Sequence, residues 1–277
     1  MKKLPVFATA FRAYTFSWQN FGTLLRLGWL PLLLSVIAQY LIGSPDVRAM
    51  HRALEAGDNI TFLLGKLPWL VAPTLPVIIG GSVFAVALHR RILFGESGDK
   101  PFLYLRVGRI ELLFVAILLV ANLVPLILMT MIMGAISAKF LQFLLALIVE
   151  ILVFFFWIRL SLVFPLTVLK GHYDFGDAWR LARGNFWRLA ALWFSVIVPV
   201  GVIGIVTFLL GFVYALATDS VTTFVDAQFQ PNTIIQSALN FVSLIVSVGI
   251  AVPVLCYAYK EIERPFADDL LTGRTAG

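Results

Sequence analysis

The sequence predicts an all-α polytopic membrane helix bundle, with about six transmembrane helices and amphipathic interfacial helices between them. Three observations predict it. Of 277 residues, 60% are apolar and only 13% charged, with a mean hydropathy of +0.94. A water-facing domain carries roughly 25% charged residues, so the charge present is about half of what would coat one. Six apolar runs approach or exceed the roughly 20 residues a spanning helix needs. Lys and Arg are divided very unevenly between the two sides that those runs define. Disorder, a secreted disulfide scaffold and an ordinary soluble enzyme are excluded on composition.

The runs are 27–43, 67–88, 112–133, 140–169, 189–216 and 234–259. The first is at the lower limit of length. The fourth and fifth would be about 45 Å and 42 Å long if straight, so they must tilt, kink or project beyond the bilayer. Every run holds proline: Pro31, Pro68 with Pro73 and Pro76, Pro125, Pro165, Pro199 and Pro253. Proline frees a carbonyl and can bend a helix, and neighbouring helices can satisfy the freed group. Static packing and a bend used in transport both fit this pattern.

With both termini cytoplasmic, the inner side receives Lys2, Lys3, Arg12 and Arg26 before the first run. It also receives Arg90, Arg91, Lys100, Arg106 and Arg109, then Lys170, Arg180, Arg183 and Arg188, and finally Lys260, Arg264 and Arg274. The outer side holds Arg48, Arg52, Lys66 and Lys139. Sixteen against four is a strong positive-inside bias. The net charge of +6 therefore points to an anionic leaflet and calls for no nucleic acid. Met1-Lys2-Lys3 resembles the start of a signal peptide, but no apolar stretch of signal length follows before Ala8-Thr9-Ala10, so no cleavage is expected. Cys256, the single cysteine, allows no intrachain disulfide and reads as a small buried apolar residue.

An aromatic stripe precedes the first run: Phe7, Phe11, Tyr14, Trp18, Phe21 and Leu25 share one helix face. Phe175, Trp179, Ala182, Phe186, Leu189 and Trp193 repeat that spacing before the fifth run. Such a helix lies in the membrane interface or packs against the ends of its own bundle. The two segments align, with Ala13-Tyr14 on Ala178-Trp179, Asn20-Phe21 on Asn185-Phe186 and Leu24 on Leu189. An internal duplication follows as an expectation, with a weaker middle copy opening at Pro101. The repeat units are then roughly 5–95, 101–170 and 174–262, in parallel orientation. They form a single transmembrane domain over 1–262, followed by a cytoplasmic tail over 263–277, frayed from Pro265.

The stretch from Asp177 to Leu189, with Ala178-Trp179 and Arg183-Gly184-Asn185 ahead of a late helix pair, carries a resemblance. It resembles a group of poorly characterised bacterial six-helix inner-membrane proteins, and is similar to the membrane domain attached to some glycerophosphodiester phosphodiesterases. The soluble phosphodiesterase domain has no counterpart in this sequence, so no catalytic residue carries over. What the resemblance implies is a bacterial inner (plasma) membrane and a multi-pass topology.

Ionisable residues inside spans are functional candidates by default. Glu150 and Arg159 both fall in the fourth run, each roughly 7 Å from its middle. Nine residues separate them, half a turn in net rotation on a straight helix, so they cannot pair. Glu150 is either a proton or cation site inside the bundle, or a protonated carboxyl bonded to a neighbour such as Asn122 or Asn240. Arg159 is either an anion or lipid-headgroup site, or an arginine that snorkels or meets helix carbonyls. Arg90, Arg91, Arg106, Arg109, Arg180, Arg183 and Arg188 are lipid-headgroup candidates. Gln236, Asn240, Ser243, Ser247 and Ala251 form a small or polar stripe suited to close helix packing. Gly80 with Gly81, and Gly201 with Gly204, read as packing or bending positions.

His51, His89 and His172 have no metal-ligand spacing, and no nucleotide-binding loop or nucleophile elbow occurs. The expectation is a protein without catalytic residues, metal or cofactor. Its partners would be anionic membrane lipids and a possible membrane-protein partner. Its role would be a non-enzymatic scaffold or accessory acting on lipids or partner proteins. The alternative is a small-solute or ion transporter using Glu150 and Arg159, which requires a solvated cavity reaching one of them.

Overall fold

In the computed structural model the described residues are 3–42, 72, 74–95, 105–135, 138–217 and 234–271, and among them no strand occurs. The helices are α1 Val6–Gln19, α2 Phe21–Ile42, α3 Thr74–Phe94, α4 Arg109–Ala135 and α5 Lys139–Leu160. They continue as α6 Val163–Lys170, α7 Phe175–Ala182, α8 Phe186–Ala217 and α9 Ile234–Leu271. Six segments are long and apolar enough to cross a membrane: Phe21–Gln39, Thr74–Phe94, Arg109–Met129, Lys139–Lys170, Phe186–Val206 and Phe241–Glu263. They correspond to the six predicted runs.

Helix association in lipid depends on close packing rather than on escape from water. The α2–α3 pair shows this. Gly28 lies under the Phe84 ring, where an added Cβ would be 3.1 Å away, and Gly80 meets the Pro31 carbonyl, where it would be 2.5 Å away. The paired glycines separate here: Gly80 is a packing position and Gly81 faces open space. Gly201 and Gly204 also meet nothing that a Cβ would touch, so neither marks a tight helix contact. Helix α9 is central and touches α1, α2, α3 and α8. From the predicted small stripe, Ser243, Ser247 and Ala251 are half-buried; the side chains of Gln236 and Asn240 lie outside the described residues.

Prolines divide into two kinds. Pro31, Pro125 and Pro199 stand inside α2, α4 and α8. Pro76 and Pro165 stand in the first turns of α3 and α6, where the missing N–H has no intrahelical acceptor to serve. Pro165 also explains a departure from the sequence reading. The fourth run is not one helix: α5 ends at Leu160, Ser161 and Leu162 form a turn, and α6 begins at Val163. Proline four residues on denies the Ser161 carbonyl its α-helical donor. Helix α5 alone has 22 residues, enough to span at about 33 Å. Helix α6 is buried from Val163 through Val168 among α3, α4, α7 and α9. Gly171 then closes it at φ 73°, a left-handed position suited to glycine.

Two asparagines act alike where a short helix meets a span. The Asn20 carbonyl accepts N–H bonds from Thr23 and Leu24 at 2.8 and 3.0 Å, and the Asn185 carbonyl accepts those of Arg188 and Leu189 at 3.0 and 2.9 Å. Each thus opens its spanning helix with the same geometry. Ala13 and Ala178, aligned in the sequence, are both fully buried. The opening of the predicted middle copy, residues 101–104 with Pro101, lies outside the described residues. The segment predicted as a frayed tail begins within α9, which continues to Leu271.

Candidate functional site

One end of the bundle gathers the charged side chains. There the end of α3 meets the start of α4 through Arg90 and Glu111, 3.1 Å apart. Lys260 of α9 donates to the Ile92 carbonyl at 2.6 Å. Tyr173, just after α6, donates to the Leu113 carbonyl at 2.7 Å. The N-terminus joins the same end, with the Leu4 N–H bonded to Asn185 Oδ1 at 3.1 Å and Arg12 paired with Glu261 at 2.5 Å. This basic end holds every headgroup candidate named from the sequence.

Their environments differ. Arg90 is spent on Glu111, which is nearly fully buried. Glu111 also accepts the Gly108 N–H at 3.0 Å, closing the first turn of α4 as the N3 acid of a capping box does. The pair is at ion-pair distance without hydrogen-bond alignment between the contacting atoms. Arg180 pairs with Asp177 at 2.7 Å. Asp177 also pairs with Lys170, which holds Asp174 at 2.5 Å. Asp174 caps α7 by accepting the Asp177 N–H at 2.8 Å. Its carboxyl is held well below the ordinary range, at about 2, mainly by Lys170 and then by that N–H. Arg106, Arg109 and Arg183 are exposed, and Arg91 is half-buried. Arg188 is half-buried with Nη1 unpartnered.

The two intramembrane candidates separate. Glu150 lies halfway along α5 and is exposed on the outer surface of the bundle, so the reading of a carboxyl inside the bundle is corrected. Asn122, one of its expected partners, turns back to the Leu118 carbonyl at 2.7 Å. The other, Asn240, has its side chain outside the described residues. Arg159 is in the last turn of α5, because the chain breaks at Ser161. It is therefore at the basic end and not deep in a long span. Its guanidinium carbon lies 4.7 Å from the Trp179 ring centroid, 5.5 Å from Phe155 and 5.8 Å from Phe186. Its Nε is buried without a partner, and no carboxylate pairs with it among the described residues.

Beside this cage runs an apolar groove of about 520 Å³ between α4, α5 and α6. Its lining runs along α4 from Ala116 to Leu128 and along α5 from Val149 to Leu160, with Tyr173 and Phe175 beside it. Neither Glu150 nor Arg159 lines it. Sequence reading missed both the groove and Glu111. The acid could have been found as the one carboxylate in the first turn of a span, beside the helix dipole. The groove could not, because it depends on where α6 turns inward.

The two aromatic stripes are used differently. On α1, Phe7, Phe11 and Trp18 face away from the protein at 91, 72 and 83% exposure. The small face opposite, with Thr9, Ala10, Ala13 and Ser17, is buried. Ser17 donates to the Gly249 carbonyl at 2.7 Å, and Tyr14 to that of Ser195. On α7 and α8 the equivalent stripe is buried at Ala182 and Leu189 and exposed at Phe175, while Trp179 meets Phe155 edge-on and Phe186 meets it at a tilt.

No protein-family model, curated protein or solved structure matches the chain. The fold itself defines the class: an all-helical protein with, among the described residues, six segments long and apolar enough to span a membrane.

Proposed function

We propose that this is a bacterial inner-membrane protein with both termini cytoplasmic, which acts without catalysis as an accessory or scaffold for lipids or partner proteins. The observation that carries this reading is the outward aromatic face of α1. A helix packed through Ala10, Ala13 and Ser17, with Phe7, Phe11 and Trp18 left outside, presents rings to the headgroup boundary. Arg106, Arg109 and Arg183 supply exposed positive charge at the basic end, suited to an anionic leaflet. The resemblance of residues 177–189 to bacterial inner-membrane proteins supports the compartment.

The transport alternative requires a solvated path to Glu150 or Arg159. Glu150 is outside the bundle, Arg159 is ringed by aromatics, and the groove beside them is apolar, so the observations favour the accessory role. The experiment is purification from the native membrane in mild detergent, with identification of stoichiometric lipids and polypeptides. Co-purifying anionic lipid or a defined membrane protein is expected. Hydrolysis of a phospholipid or phosphodiester by the purified protein alone refutes the proposal.

A further inference from the structure

We propose that Arg159 and the groove between α4, α5 and α6 form a binding site for one anionic phospholipid, with the phosphate on the guanidinium and an acyl chain in the groove. The inference rests on the accessory reading above and gives that reading a ligand class.

Charge is the first argument. A cation partly withdrawn from water is penalised unless an opposite charge or a set of acceptors compensates it. Arg159 is half-buried, with three rings around it and an unpartnered buried Nε, but no carboxylate among the described residues. Ring quadrupoles favour the guanidinium, and so do the carbonyls ending α5. Neither is an anion. Rings take the faces of a guanidinium, and its in-plane N–H donors form the fork that matches two phosphate oxygens.

The second argument is continuity between cage and groove. Phe156 lines the groove, and its ring lies 6.1 Å from that of Trp179, the residue nearest the Arg159 guanidinium. Phe175, also on the groove wall, precedes Trp179 by one turn of α7. These two residues form the lip across which a lipid passes from phosphate to chain. Below it the groove follows α5 from Leu160 to Val149. Eleven residues of helix are about 17 Å long, against about 15 Å for one leaflet of a roughly 30 Å hydrocarbon core. The groove thus has the depth of a single acyl layer. Trp157 and Tyr173 line it towards its basic end, and Trp179 meets its wall through Phe156, where amphipathic rings meet headgroups.

The third argument selects the headgroup. Near the lip, Asp177 is already engaged by Lys170 and Arg180, and Arg183 is exposed. Among the described residues no acid is left there to receive the ammonium of a zwitterionic lipid, so net negative headgroups fit.

The test uses the full protein in mixed micelles holding equal phosphatidylglycerol and phosphatidylcholine, with bound lipid counted by native mass spectrometry. Wild type is expected to keep one phosphatidylglycerol in preference. Arg159→Gln is expected to lower that retention about tenfold, the loss of roughly 1.4 kcal/mol. Arg159→Lys, which keeps the charge, should retain part of the preference. Ala121→Trp, which fills the groove, should reduce retention of both lipids. Monodisperse elution of each variant checks folding. Unchanged retention in Arg159→Gln and Ala121→Trp overturns the site while leaving the accessory reading in place. Absence of any lipid preference in wild type removes both. Displacement of the lipid by inorganic phosphate at equal concentration, or a dimer that Ala121→Trp dissociates, also overturns the assignment.

Discussion

Arg90 Nη1 stands 3.1 Å from Glu111 Oε1, and Glu111 is 1% exposed. The pair ties the end of α3 to the start of α4 at the basic end, and the same carboxylate caps α4 through Gly108. Removing one member leaves an uncompensated buried charge, which costs about 3–5 kcal/mol. Glu111→Ala is therefore expected to lower the melting temperature in detergent sharply. The double substitution Arg90→Met with Glu111→Leu should be milder than Glu111→Ala. Thermal scans of wild type and the two variants check this, and a double variant no more stable than Glu111→Ala would contradict it.

Gly80 and Gly81 are neighbours with opposite expectations. A Cβ at Gly80 would be 2.5 Å from the Pro31 carbonyl and 2.8 Å from Ser35 Cβ, backbone and stem atoms that cannot swing aside. Gly80→Ala should push α2 from α3 and cost about 1–3 kcal/mol, as overpacking does. Gly81→Ala meets open space and gains helix propensity, so it should be neutral or stabilising by up to about 1 kcal/mol. Unfolding midpoints of the two single variants decide the matter.

Trp18 is expected to sit at the headgroup level. Its fluorescence should be quenched by lipids brominated near the glycerol backbone, and only weakly by aqueous iodide. Phe7→Ser with Phe11→Ser should raise the iodide quenching by loosening the seat of α1. Ala13→Leu, by contrast, should destabilise the fold, because Ala13 is fully buried beneath α1.

How far this was legible from sequence depends on the kind of signal. The six spans were readable because lipid demands long apolar helices, and α4, α8 and the start of α9 fall close to the predicted limits. The pairing of Asn20 with Asn185 was visible as aligned residues. Periodicity gave the stripe on α1 but not its direction. A face at helical spacing does not say whether the aromatic or the small side packs, and here the small side does. The helix break beyond Arg159 was hard to read because apolarity continues unbroken through Ser161, where only Pro165 hints at the turn. Glu150 was assigned to the interior on cost alone, and its outward direction follows from how α5 rotates against α4 and α7. The groove needs three helices in place and has no linear trace.

The acid limb of stability should carry the Asp174 signature. Its folded pKa of about 2 lies below the roughly 3.9 of an unfolded aspartate. Its contribution is thus complete above about pH 4 and is lost as pH falls towards 2. Asp174→Asn keeps an N-cap for α7 but loses the charge that faces Lys170. Wild type should be more stable than this variant at pH 6, and the gap should narrow steadily below pH 4 towards pH 2. A gap that persists at low pH would contradict the role given to Lys170.

The central claim is that lipid surrounds the bundle and that the basic end faces the cytoplasm. Thiol labelling in a Cys256→Ser background, using a membrane-impermeant maleimide on intact spheroplasts, tests both parts at once. Cysteines replace Lys139 at the start of α5, Arg183 at the basic end, and Ile151, which is 58% exposed midway along α5. The account predicts labelling of Lys139→Cys on intact cells, of Arg183→Cys only after permeabilisation, and of Ile151→Cys in neither. Labelling of Ile151→Cys by the aqueous reagent, or of Arg183→Cys from outside, would contradict it.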